Sequence, residues 1–185
     1  MGAHHQSSLE TLLMKVFFNT QMSVESGGYS PSAAKPAAAL SDWLANGLEI
    51  EICDFEPATE SDLCLTHDPG FVRHVLAGRR RNGHGNTIRE VTRSCLLTVG
   101  SIVAASRSAF TDSIVCSPTS GFHHAGYDYN GAFCTFNGLI VAARKIINEG
   151  LCSKVAILDC DAHYGDGTDD IIFHRKLEDQ ILHWT

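Results

Sequence analysis

The chain has 185 residues, 44% of them hydrophobic and 19% charged, with a formal net charge of -7. That length suits one domain with a core of its own, and the acidic balance argues against a general nucleic-acid binder. No apolar run approaches the roughly 18 residues of a membrane span, and the start lacks the basic, then long apolar, pattern of a secretory signal.

Residues 1–13 read as an N-terminal extension expected to be disordered, and 14–185 as one continuous domain. Lys15 to Phe18 and Leu48 to Phe55 read as strands. Ser30 to Asn46 has a proline-bearing start, an alanine-rich body and Gly47 beyond its end, the pattern of a loop and helix. Thr66 to Leu76 suits a short helix. Gly78 to Asn86 is a turn-rich loop whose Arg79, Arg80 and Arg81 read as a solvated basic stretch. From Thr87 to Phe110, Ile88, Val91, Cys95, Val99, Ile102 and Val103 recur at helical spacing. Asp112 to Cys116 reads as a short strand. Phe136, Leu139, Ile140, Ala143, Ile146 and Ile147 mark another helix, closed by Gly150. Lys154 to Leu158 is a continuous apolar run, as expected of a buried parallel strand, and a further strand begins near Gln180. Strands alternating with helices imply an α/β fold with a parallel sheet, in which chemistry gathers beyond the carboxyl ends of strands.

Seven cysteines, an odd number without a CxxC pair, argue against a disulfide scaffold and for a reducing, cytoplasmic setting. Cys95, Cys116, Cys134 and Cys160 lie in apolar contexts, where cysteine behaves as a small hydrophobe.

Two polar constellations fall at predicted strand ends. Asp159, Asp161 and His163 follow Val155-Ala156-Ile157-Leu158. In an extended chain, positions two apart point to one side, about 6.6 Å apart, and a carboxylate and an imidazole so placed can converge on a divalent ion. Gly165-Asp166-Gly167-Thr168 then forces a turn that can start a helix and returns Asp166 to the same pocket. His123-His124 follows the preceding strand within a glycine-rich, apolar stretch. Histidines beside carboxylates suit general acid–base work.

The three strings Ser120-Gly121-Phe122-His123-His124-Ala125, Ala132-Phe133-Cys134-Thr135-Phe136-Asn137 and Asp159-Cys160-Asp161-Ala162-His163-Tyr164-Gly165-Asp166-Gly167-Thr168 occur in order. From about Cys116 to Phe173 they resemble the histone deacetylase and acetylpolyamine amidohydrolase family. The resemblance implies a parallel sheet flanked by helices in the three-layer arginase/deacetylase-like fold. It also implies metal-assisted hydrolysis of an acetyl-lysine peptide or an acetylated small amine, with no nucleic acid or membrane as partner and with oligomers open.

By position, Asp161 and His163 match metal ligands. His124 matches the general base that becomes the general acid, and His123 its neighbour that hydrogen-bonds the attacking water. Asp159 and Asp166 match carboxylates orienting His123 and His124, and Asp159 also matches part of a structural K+ site. Phe133 matches an aromatic wall of the acyl-lysine channel. Ala132 stands where relatives often have glycine, its methyl expected to narrow the channel floor. A mixed Asp/His set suits Zn2+, with Fe2+ an alternative.

A ureohydrolase of the arginase type would share Asp161-Ala162-His163 but needs an aspartate where this chain has Gly165. A dehalogenase-type phosphatase would use the paired aspartates without the histidines. An inactive fragment or binding module of the same fold is the non-enzyme alternative. The family's third metal ligand, a distant aspartate, and its carbonyl-binding tyrosine have no counterpart in these residues. The expectation is therefore the front part of a longer domain, incomplete at its C-terminus and not competent alone.

Overall fold

The computed structural model describes residues 13–27 and 30–185. The expectation for 1–13 lies outside them except at Leu13.

The strands are β1 (Met14–Phe17), β2 (Ile50–Cys53), β3 (Val115–Cys116), β4 (Val155–Leu158) and β5 (Ile181–Trp184). The helices are α1 (Lys35–Ala45), α2 (Glu60–Cys64), α3 (Pro69–Leu76), α4 (Arg89–Asp112), α5 (Gly138–Asn148) and α6 (Asp166–Arg175). The pairings between these strands are parallel and fall in two sections, β2-β1-β3 and β4-β5. The α/β fold with a parallel sheet is therefore observed.

Several sequence expectations shift. The Asp112–Cys116 strand shrinks to two residues, because α4 runs on to Asp112 and Ser113 then takes φ 64. Five-residue α2 has no amphipathic period to announce it. It is fixed by a capping box in which Thr59 and Asp62 satisfy each other's backbone N–H. The helix expected from Thr66 starts only at Pro69, since Asp68 caps Phe71 N and proline suits the first turn.

α4 has an 18-residue window of mean hydropathy 1.2, long and apolar enough by composition to cross a membrane. Half of that window is buried, and it packs on α5, β1 and β3. Cys95, Val99 and Val103 join Phe71, Val72, Phe122, Phe136 and Val141 in the main core. A second core lies among α5, β4, α6 and β5, built on Ile140, Ile157, Ile171 and Ile181. Val16, Phe18, Met22, Leu40 and Leu97 form a third.

β4 is not the fully buried strand its apolar run implied. Val155 and Ile157 face the core, whereas Ala156 and Leu158 are exposed. Cys160 is likewise exposed, not an apolar-pocket cysteine. The period of two puts alternate residues on opposite faces, and among the described residues only one face is covered. All seven cysteines are free.

Candidate active site

The loops leaving β3 and β4 meet at the carboxyl ends of those strands. The β3 loop brings His123 and His124, with Phe122 anchored in the core. The β4 loop brings Asp159, Asp161 and His163, and the first turn of α6 brings Asp166. Gly167 permits the approach. A Cβ there would sit 2.5 Å from the Ala125 carbonyl carbon and 2.6 Å from that of His124. α6 then seals the contact, with Thr168 N donating to His123 O at 3.1 Å.

Two histidine–carboxylate pairs result. His123 Nδ1 donates to Asp159 Oδ2 at 2.7 Å, and His124 Nδ1 to Asp166 Oδ1 at 2.6 Å. An ionised carboxylate only accepts, so each Nδ1 carries a proton, and in a neutral ring Nε2 is then the atom with the free lone pair. The imidazole centroids lie 4.1 Å apart, so both face one small space. The His123–Asp159 pair is the more enclosed, at 12% and 11% side-chain exposure. His163 stands 6.0 Å from His124, ring to ring.

The Asp159–His163 run does not stay extended. Asp159 Oδ1 accepts from Asp161 N at 3.0 Å, and Asp161 Oδ1 from His163 N at 2.8 Å. Each carboxylate captures the N–H two residues on, and the chain bends. The bend puts His163 Nδ1 3.0 Å from Asp161 Oδ1, far closer than the extended spacing. That separation is near the ~3.3 Å edge of a tetrahedron with bonds of about 2.0 Å, so the pair fits two corners of a zinc-type site. Hydrogen bonds from His163, first its backbone N–H and then its ring Nδ1–H, hold the Asp161 carboxyl below its ordinary range; a ligating Nδ1 would give up that proton to the metal site's surroundings. Among the described residues no group of three or more His, Cys, Asp or Glu is placed to hold a metal; the pair supplies two donors.

Ala132 and Phe133 carry positive φ, 45° and 67°. A bridge between Gly131 and Cys134 and the bond from Phe133 N to Gly83 O at 2.9 Å hold this conformation. The Phe133 ring faces His84 at 6.0 Å. The Ala132 side chain is exposed, so its methyl acts first on backbone conformation. Burial pushes the neighbouring Cys134 thiol up to about 12, which removes it as a nucleophile near neutrality.

The sequence reading missed the supports beneath the histidine loop. His67 is fully buried. Its Nδ1 donates to Gly126 O at 2.8 Å, while its Nε2 accepts from Asn137 N at 2.9 Å. The Asn137 amide donates to Ala125 O at 3.1 Å and to Thr168 Oγ1 at 3.0 Å. Asp170 Oδ2 accepts from Tyr127 N at 2.7 Å. The His-Asp-Pro string was the available signal for His67, because a cap at Asp68 leaves the histidine outside the helix.

The histone deacetylase domain family matches residues 30–183. Rice "Histone deacetylase 10, chloroplastic" is 31% identical over 148 residues, covering 67% of this chain and 32% of that protein. "Acetylpolyamine amidohydrolase" of Mycoplana ramosa is 42% identical over 74 residues, 40% of this chain and 20% of the relative. The chain thus spans about a third or less of these relatives. Among solved structures, "Crystal Structure of HDA15 HD domain" superposes with TM-score 0.75 at 20% identity, covering 93% of this chain and 52% of that one. That likeness carries the arginase/deacetylase-like fold. With the family match spanning most of its length, the chain belongs to the histone deacetylase domain family, as the N-terminal part of that domain.

Proposed function

We propose that this chain carries the proton-transfer groups and two metal ligands of a zinc-dependent amidohydrolase that removes acetyl groups from acetyl-lysine or acetylated amines. The observation that carries the reading is the pair of adjacent histidines, each held by its own carboxylate, beside Asp161 and His163. A divalent ion, Zn2+ or alternatively Fe2+, supplies Lewis-acid polarisation of the acetyl carbonyl and of the attacking water.

The chain's own residues do the rest. His124 Nε2 takes the proton of the attacking water and returns it to the leaving amine. Asp166 steadies the ring as it gains charge. His123, fixed by Asp159, hydrogen-bonds the water. Phe133 lines the path of the apolar lysine stem, with Ala132 at the same loop. A structural K+ near Asp159 belongs to the same proposal, as does a cytoplasmic location, which the seven free cysteines support.

The test places these residues in the complete domain, supplied with zinc, and offers it an acetyl-lysine peptide and an N-acetylated polyamine. His124→Ala should lower turnover by about 10²–10⁴-fold while metal content stays unchanged. Asp161→Asn and His163→Ala should instead lower metal occupancy after dialysis. A His124→Ala variant of the complete domain that stays within a few fold of wild type, or Asp161→Asn and His163→Ala variants with unchanged metal content, overturns the proposal.

A further inference from the structure

The loop 159–165 carries both proposed metal ligands, yet Asp161 and His163 are themselves exposed. Their placement therefore depends on what holds the loop's two ends. At its start, Asp159 N donates to Trp184 O at 2.8 Å. At its exit, Gly165 N donates to Thr185 Oγ1 at 3.0 Å.

A side-chain clamp stands beside that exit. The Tyr164 hydroxyl donates to Asp169 Oδ2, and His183 Nδ1 donates to Asp169 Oδ1 at 2.6 Å. One carboxylate on α6 thus ties the loop to β5. The His183 side chain is only 2% exposed. Its Nε2 is buried with no hydrogen-bond partner. The ring packs directly under the loop. A Cβ on Gly165 would meet His183 Cε1 at 2.9 Å, Asp159 Oδ2 at 3.0 Å and His183 Nε2 at 3.1 Å. His183 and the carboxylate that orients His123 therefore both border the same glycine at the loop's exit.

We infer that Asp169 and His183 are positioning residues for the metal-ligand loop, acting with Tyr164 as a clamp that fixes Asp161, His163 and Asp159. The inference rests on the metal-site reading above. The carboxylate must accept, so His183 works through its Nδ1–H alone, and the partnerless Nε2 contributes no bond. A side chain that keeps a donor at the δ position should thus preserve the clamp. His183→Asn does so, whereas His183→Leu fills space without a donor.

Zinc affinity, by competition with a chromophoric chelator, and the d–d spectrum of the Co2+ form read ligand placement directly. Thermal melting of the metal-free protein reads stability separately. His183→Leu and Asp169→Asn should weaken zinc binding by about tenfold, within the range for groups that orient ligands, and alter the Co2+ spectrum. His183→Asn should stay within about threefold of wild type on the same scale. Tyr164→Phe, at an exposed position that tolerates change, should weaken binding by a smaller factor and keeps the test open if His183→Leu fails to fold. Unchanged affinity in Asp169→Asn and Tyr164→Phe overturns the clamp while leaving the metal site standing. Equal losses in His183→Asn and His183→Leu that track the melting temperature overturn it too, as ordinary packing. A wild-type protein that binds no zinc overturns the metal-site reading and the clamp with it.

Discussion

His67 shows how one buried side chain sets a pH limit. Desolvation lowers its pKa from 6.5 to about 4, and its neutral form is already committed to Gly126 O and Asn137 N. Arg175 disfavours its charging further. The folded pKa lies below the unfolded one, so the unfolded chain takes up a proton first as pH falls. The contribution to stability is complete above about 6.5 and is lost progressively toward about 4, a swing on the order of 3 kcal/mol. Denaturant unfolding across that window should show the slope, and His67→Gln should flatten it; a parallel slope in the variant would assign the loss to carboxylates instead. Ala132 gives a second residue-scale expectation. With φ at 45°, a Cβ costs about 1 kcal/mol relative to glycine, so Ala132→Gly should raise the urea midpoint with no change in slope. The DxDxH string was readable because its residue types advertise chemistry. For His67 the His-Asp-Pro string marked only its place before a helix, and its role appears when its two partners, at positions 126 and 137, are brought to it.

At the scale of elements, the site depends on α6 lying against the histidine loop. Gly167→Ala should force helix and loop apart at a backbone contact that cannot yield as a side chain would. The expected cost is about 1–3 kcal/mol, as for other overpacked positions, together with a loss of turnover as the His124–Asp166 pair separates. A variant melting like wild type with full turnover would show that the loop absorbs the strain elsewhere. The long helices α4 and α5 were legible, because their apolar positions repeat over many turns. α2 was not: five residues of helix carry too few periods to register, and a capping box fixes it instead; β3 was legible as a strand but not in its length, which pairing with Lys15 and Val16 sets.

At the largest scale, the β4-β5 pair has an apolar face that no described residue covers. Ala156 pairs with Leu182 and Leu158 with Trp184 in register, and the three large side chains are exposed at 74% for Leu158, 50% for Leu182 and 54% for Trp184. A contiguous apolar surface of this kind binds hydrophobic dyes and favours association. Leu158→Lys with Leu182→Lys should lower dye emission without lowering the melting temperature; unchanged emission would place the dye elsewhere. The sequence by itself determined the alternation of strands and helices, the parallel fold, and the residue types gathered at two strand ends, because periodicity and local chemistry are properties of neighbouring residues. Only the tertiary structure decided which face of β4 is covered, how the 159–163 run bends, and that His67 and Asn137 support the histidine loop. Those outcomes depend on contacts such as His67 with Asn137, 70 positions apart, and no local pattern encodes such distances.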